Sequence, residues 1–392
     1  MLNLEKELKD LEDRNLYRVL RVMRSAPGAR VTVEGEELLN FASNNYLGLS
    51  ADDRLKEAAR SAIGEWGAGA TASRLLGGNL ELHERLERAL ADFKRTEACA
   101  VFPSGYHANL GTLPALMGEN DTVILDRLCH ASLVDGARLS RARLRVFAHN
   151  DAVDLEKVLK RAASSRGRRW IVTESVFSMD GDVAPLREIA ALAARYGVQT
   201  YVDEAHATGV WGPDGRGLVN ELGLEKKLDV CMGTLSKALG GAGGFVCGRR
   251  DLVEWIHNRC RSFIYSTGLP PASAATALKA LEICLTEPDR RRRLFSSADR
   301  LRRGLSGFPR ARSSSAAGIF ESSRGPVVPF VIGSEADALA LSRSLWKKGI
   351  FVPAIRPPTV PKGTARLRFS VTAEHTEADV DLVLEAMRRH AG

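Results

Sequence analysis

Six short apolar runs recur along the middle of the chain, separated by stretches long enough for a helix. They are Ala98-Cys-Ala-Val-Phe102, Thr122-Val-Ile-Leu125, Leu144-Arg-Val-Phe147, Trp170-Ile-Val-Thr173, Val198 to Val202 and Val230-Cys-Met232. Leu82, Leu86, Leu90 and Phe93 mark an amphipathic helix just before the first run. Parallel neighbours need a helix-length crossover, so this alternation predicts an α/β fold: a mostly parallel sheet with helices on both faces. Upstream, residues 1 to about 25 read as helical, and Arg30 to Val33 and Leu38 to Phe41 as two short strands. Ser43 to Leu49 is a turn-rich link into the main body. Downstream, Ala311 to Gly325 reads as a Ser-rich loop. Pro326 to Ile332, a helix near 335–348 and Ala365 to Ser370 suggest a smaller α+β domain. The expected divisions are 1–46 (helix and short strands), 47–287 (catalytic domain) and 288–392 (carboxyl-terminal α+β domain). No internal repeat is found.

A hydrophobic fraction of 44% over 392 residues is ample for a large core. The net charge of +8 raises the question of an acidic partner. The positive residues concentrate at Arg166, Arg168 and Arg169, and at Arg290 to Arg293 with Arg300, Arg302 and Arg303. Leu294, Leu301 and Leu305 accompany the second cluster at helical spacing, so it reads as the solvated face of a helix; a site for nucleic acid or an acidic carrier is the competing reading. No stacking aromatics interleave with it, and no nucleic-acid partner is expected. The six cysteines form no Cys-x-x-Cys pair and no metal-ligand pattern, as expected of core thiols in a reducing compartment. The acid-bearing amphipathic start is unlike a targeting peptide, and no apolar run spans a bilayer. A cytoplasmic protein with no membrane partner is expected.

The chemistry-bearing residues fall at the ends of the predicted strands. Lys237 lies in Gly-Thr-Leu-Ser-Lys-Ala-Leu-Gly-Gly (233 to 241), where small neighbours let its amine approach a flat ring and form an imine with an aldehyde. Asp203, in Asp-Glu-Ala-His (203 to 206), ends a strand and so stands where open α/β sheets bind ligands. A carboxylate there suits the pyridine nitrogen of pyridoxal phosphate, whose chemistry needs an acidic partner. Phe102-Pro-Ser-Gly-Tyr-His-Ala-Asn109 turns from strand into helix; free amides at such a start can hold a phosphate, and Gly105 lets backbone come close. His130 stands at a strand end, where an imidazole can stack on a cofactor ring, and His206 lies within reach of the cofactor's phenolic oxygen. Ser178 follows another strand, and Thr234 offers a hydroxyl to the phosphate or merely to a turn. One acid, two imidazoles, hydroxyls and a lysine at successive strand ends form a coherent candidate site.

Together these stretches resemble the α-oxoamine synthase family of fold-type I pyridoxal phosphate enzymes. The resemblance runs through Asn44-Asn-Tyr-Leu-Gly-Leu49, Gly67-Ala-Gly-Ala-Thr-Ala-Ser-Arg74, Asp203 to His206 and Thr234 to Lys237, and on to Ile355-Arg-Pro-Pro-Thr-Val-Pro361. At Ala70-Thr-Ala72 the chain departs from it, since the family more often carries Gly and Ser there. The resemblance implies that Lys237 holds the cofactor aldehyde and serves as general base, with Asp203 on the pyridine nitrogen. It places His206 and Ser178 in contact with the cofactor, His130 over its ring, and Gly105 and Tyr106 by its phosphate. Arg368 would bind the amino-acid carboxylate, with Asn44 among the substrate-side residues. Thr359 and an amino-terminal arginine, Arg18 by best match with Arg21 close by, would face the acyl substrate. The Ile355 to Pro361 stretch favours the branch that condenses L-alanine with a pimeloyl thioester, carried on CoA or on an acyl carrier protein, with loss of carbon dioxide. Glycine-using members of the family are the alternative.

Tyr265-Ser-Thr-Gly-Leu-Pro-Pro271 offers two hydroxyls before a proline-stiffened turn. Read from the residues alone, Ser266 and Thr267 are helix-capping groups. The resemblance implies instead that this segment reaches the cofactor phosphate of a neighbouring subunit in a homodimer.

Overall fold

The computed structural model describes residues 3–308 and 314–391. They divide into two compact units. One contains the chain up to Ser50, Ser178–Asp182 and the chain from Asp289 on; the other contains Ala51–Phe177 and Val183–Pro288. The segments 1–46 and 288–392, set apart in the expected divisions, thus fall almost wholly in one unit.

In the first unit a helix spans Leu4–Asp13, with the Asn3 side chain accepting from the Lys6 amide. It stops well short of residue 25, which corrects the expectation. Asn15 adopts a left-handed φ of 56° and turns the chain out of the helix. Beyond it, the Arg24 amide donates to Thr32 O (2.7 Å) and the Glu34 amide to Val22 O (3.0 Å), so this segment satisfies its backbone against a strand instead of within itself. Strands β1 (Arg30–Val33) and β2 (Glu36–Asn40) form an antiparallel hairpin. Glu34 and Gly35, with φ of 53° and 91°, make the tight turn that such hairpins favour.

The second unit is built on a seven-stranded sheet of β3 (Ala98–Phe102), β4 (Thr122–Asp126), β5 (Arg143–Phe147), β6 (Arg169–Glu174), β7 (Gln199–Asp203), β8 (Val230–Thr234) and β9 (Gly244–Gly248). Their order is β3-β9-β8-β7-β6-β4-β5. All neighbours run parallel except β9, which is antiparallel to both β3 and β8. Alternate residues serve opposite faces: Val123, Leu125, Trp170, Val172 and Tyr201 enter one core cluster, Ile124, Ile171 and Val202 the other. Burial on both faces is why these strands read as continuous apolar runs. In register, Glu174 pairs with Asp203 and Asp203 with Met232, which sets the carboxyl ends of three strands level.

The first unit resumes with the helix Pro288–Leu305, whose Leu294, Ala298, Leu301 and Leu305 are buried. Its arginines are less solvated than the spacing suggests. Arg291 is buried, Arg290 donates to Leu47 O (3.0 Å), and Arg300 grips Asp381 with two nitrogens (2.9 and 2.8 Å). The Ser-rich stretch is a second departure. Residues 311–313 lie outside the described residues, but Ser314–Ser322 is a helix that packs on β10 (Val327–Gly333), with Phe320 buried. An apolar anchor against a strand outweighs the local preference of serine for loops. β11 (Ile350–Phe351) extends the first hairpin beside β2, and β12 (Ala354–Ile355) and β13 (Ala365–Ser370) complete a second small sheet in the order β10-β13-β12. None of the six cysteines forms a disulfide, and five of them are buried. Among the described residues no helix is long and apolar enough to cross a membrane.

Candidate active site

A cavity of about 190 Å³ opens at the carboxyl ends of β6, β7 and β8 in the second unit. Gly105, Tyr106, His130, Asp203, His206, Thr234 and Lys237 all line it. Seven of the residues singled out in the sequence therefore meet in one place. Lys237 is half-buried in a turn closed by bonds from the Leu235 amide to Gly243 O (2.9 Å) and from the Gly240 amide to Lys237 O (3.0 Å). Gly240 and Gly243 have φ of 68° and 124°, a region that disfavours side chains, so the glycines shape this turn.

Asp203 is held through both oxygens. Oδ1 accepts from the Ala205 amide (2.8 Å) and Oδ2 from Asn109 Nδ2 (2.8 Å). Asn109 also donates to Ser132 Oγ (2.9 Å), and its Oδ1 accepts from the Tyr201 hydroxyl (2.8 Å). His130 Nδ1 accepts from the Ser132 amide (3.2 Å) and lies 2.8 Å from Ser132 Oγ. Burial pushes the His130 imidazole down from its ordinary range, and with Nδ1 accepting, the neutral ring carries its proton on Nε2. The His130 amide donates to Glu174 Oε1 (2.6 Å). Burial, reinforced by the Asp203 charge, pushes the Glu174 carboxyl well above the usual carboxylate range. Asn109, Ser132, Tyr201 and Glu174 were not singled out by the sequence reading. The one signal was for Asn109, which lies four residues after Gly105 and so on the same helix face.

The donor set fits pyridoxal phosphate. Thr234 Oγ1 is buried without a hydrogen-bond partner, an orphan that a phosphate oxygen would satisfy. Beside it begins the helix Gly105–Leu116, where the Ser104 side chain caps the His107 amide. The amides of Gly105 and Tyr106 come before that first capped position. A Cβ on Gly105 would stand 2.5 Å from Thr234 Cγ2, so only glycine fits this approach. Tyr106 itself is exposed and donates to Asp135 Oδ2 (2.6 Å).

The remaining candidates lie elsewhere. In the first unit Arg368, buried in β13, donates from Nε to Ser178 O (2.6 Å) and from Nη1 to Asn44 Oδ1 (3.1 Å) and Ser370 Oγ (2.6 Å). Ser178 and Asn44 are thus gathered round the arginine, and neither is among the residues lining the cavity. Arg18 Nη2 reaches Pro357 O (3.4 Å), two residues before the exposed Thr359. Arg21 pairs with Glu34 (2.6 Å), lies over the Trp346 ring and lines a cavity with Arg356, so both arginines adjoin the Ile355 to Pro361 stretch. In the second unit Thr267 is exposed and bridges Ser73. The capping reading of Ser266 and Thr267 does not hold, because the next helix starts at Pro271 with Pro270 in the cap position. Thr71, at the departure from the family pattern, has φ of 59°, where glycine is the easier residue.

A sheet with this order, a strand-end aspartate and a lysine turn define a fold-type I pyridoxal phosphate transferase, and the family model for aminotransferase class I and II matches residues 36–387. The chain belongs to that family. Within it, the chain groups with the 8-amino-7-oxononanoate synthases: it is 48% identical to the one from Anaeromyxobacter dehalogenans, over 97% of this chain and 93% of the relative. Among solved structures, it resembles a serine palmitoyltransferase from S. paucimobilis with pyridoxal phosphate bound to myriocin, at 34% identity and a TM-score of 0.91, covering 98% and 96% of the two chains. An 8-amino-7-oxononanoate synthase from Francisella tularensis is similar at 28% identity and a TM-score of 0.77, covering 90% and 97%.

Proposed function

We propose that the protein condenses L-alanine with a pimeloyl thioester, releasing carbon dioxide and the free thiol carrier and forming 8-amino-7-oxononanoate for biotin synthesis. The observation that carries this reading is the meeting of Asp203, Lys237, the two histidines and the orphan Thr234 hydroxyl in one cavity, in a chain with such close oxononanoate synthase relatives.

Asp203 would hold the cofactor's pyridine nitrogen, Lys237 its aldehyde, and Gly105, Tyr106 and Thr234 its phosphate. His130 would cover the ring, and His206 and Ser178 would contact the cofactor. Once bound, the pyridoxal ring withdraws electrons from the amino acid's Cα and so acidifies its C–H bond. The Lys237 amine is then the base for that proton and returns one to the same carbon later. Asp203 accepts two hydrogen bonds, one on each oxygen, which fix the carboxylate that would face the ring nitrogen. The neutral His130 presents an Nε2–H donor without adding a charge that would compete with Lys237. Arg368, with Asn44 beside it, would orient the amino-acid carboxylate; Arg18 and Thr359 would meet the acyl chain. Two copies would form a homodimer in which Ser266 and Thr267 complete the phosphate site of the partner. A cytoplasmic location fits six cysteines of which none forms a disulfide.

Two measurements test this. The purified protein should be yellow, and borohydride should bleach it while fixing the cofactor to Lys237. Release of free thiol should be fastest with L-alanine and a pimeloyl thioester, offered on CoA and on acyl carrier protein. Faster turnover of glycine with a short acyl-CoA would overturn the assignment in favour of a glycine-using member of the family.

A further inference from the structure

Glu204 follows Asp203 directly, and its carboxylate is wholly buried outside the cofactor cavity. Its counter-ion is Lys94, the last residue of the helix Glu81–Lys94, which is itself buried. Lys94 Nζ lies 2.9 Å from Glu204 Oε2, 2.9 Å from Thr208 Oγ1 and 2.6 Å from Arg216 O. Glu204 Oε1 accepts from the Val219 amide (2.9 Å), and the Cys231 thiol donates to Oε2 (3.3 Å). The Arg216 side chain reaches back to Asp92 O (2.9 Å) and Phe93 O (2.7 Å) in the last turn of the same helix. Gly217, with φ of 117°, leaves the space: a Cβ there would stand 2.3 Å from Glu204 Oε2.

Residues 204–217 contain no helix or strand, yet this segment directly follows Asp203 and carries His206, and both of those residues line the cavity. A buried ion pair adds little stability over well-packed apolar residues, whereas one partner left alone is strongly destabilising. Its contribution is therefore better sought in register than in stability. We infer that Lys94 is a positioning residue: through its buried pair with Glu204 it seats the turn that presents Asp203 and His206, and it balances the charge beside Asp203. Around Asp203 stand Glu174, His130, Tyr201 and Lys237; around Glu204 stand Lys94 and Cys231, with Cys247 across the strand from Cys231 and Cys99 across from Cys247. Lys94 is the cation on the Glu204 side of this group. Burial pushes the Cys231 thiol well up, which keeps it a neutral donor.

The inference rests on the cofactor reading, and its test separates the two. Full-length wild type, Lys94→Met, Glu204→Gln and the double variant are titrated with pyridoxal phosphate, and the visible absorbance of the bound cofactor is followed against pH. Lys94→Met leaves an extra negative charge near the ring and should raise the pH of the absorbance change by about half a unit or more. Glu204→Gln leaves an extra positive charge and should lower it by a similar amount, and the double variant should return towards wild type. Each single change should also weaken cofactor binding by about tenfold, a loss on the scale of one charge-assisted hydrogen bond. Loosened packing alone cannot produce shifts of opposite sign. Shifts of the same sign, or lower melting temperatures with an unmoved absorbance titration, would overturn the inference. Should Lys94→Met fail to fold, Glu204→Gln and the double variant decide: a lowered transition that the double variant restores supports the pair, and identity of both with wild type removes it. A wild-type protein that never turns yellow sinks the cofactor reading instead.

Discussion

With one amide, Asn109 joins Asp203, Ser132 and Tyr201. Asp203 must be aimed at the ring nitrogen, and Asn109 is a side chain that donates to its carboxylate. Replacing it with leucine should cost the carboxylate one charge-assisted hydrogen bond, worth about 1.5–3 kcal/mol. Cofactor binding should then weaken by roughly ten- to a hundredfold, read by absorbance titration. Affinity equal to wild type would mean that the Ala205 amide suffices. Residue type alone could point to Lys237 and Asp203, because imine formation and pyridine protonation each admit few side chains. It could not point to Asn109, whose partner Asp203 is 94 positions away and is brought near only by the fold.

Buried in the first unit, His375 shows how an element end can report on pH. Its ring stacks on Phe41 at 4.0 Å, Nδ1 accepts from the Thr372 amide (3.0 Å) and Nε2 donates to Asn40 O (3.1 Å). Burial lowers its pKa to about 4, from about 6.5 in the unfolded chain. Below about pH 6.5 the unfolded chain takes up a proton that the folded one refuses, so stability falls from there to about pH 4 and this contribution then levels off. The full loss is about 3 kcal/mol at most. His375→Gln should be less stable at neutral pH but show a flatter urea-midpoint curve between pH 4 and 7; an unchanged slope would place the acid sensitivity elsewhere. Element boundaries failed where such tertiary pairing took over. The amino-terminal helix ended at Asp13 because the later residues pair with β1, and the Ser-rich stretch became helical against β10. The strands were legible because burial on both faces demands unbroken apolar runs.

At the scale of the molecule, Ser73 bridges Thr267, with the Leu75-Leu76 pair and Tyr265 close by in sequence. Those three side chains are 55%, 81% and 70% exposed. If Thr267 acts on the partner's cofactor, mixing Lys237→Ala subunits with Thr267→Ala subunits should restore activity. Each mixed dimer then holds one doubly impaired site and one intact site, up to about a quarter of the wild-type site count in a random mixture. No recovery beyond the parent variants would rule out a shared site. The sequence by itself determined the α/β class, six of the seven strands of the large sheet and the residues whose chemistry is rare, because period, burial and reactivity are written locally in residue types. The tertiary structure alone decided which groups answer them: the antiparallel insertion of β9, the Asn109 and Glu174 shell round the cavity, and Lys94 buried against Glu204. Common polar residues gain such roles only when distant segments meet, and the enclosure that makes their charges and hydrogen bonds matter exists only in the folded chain.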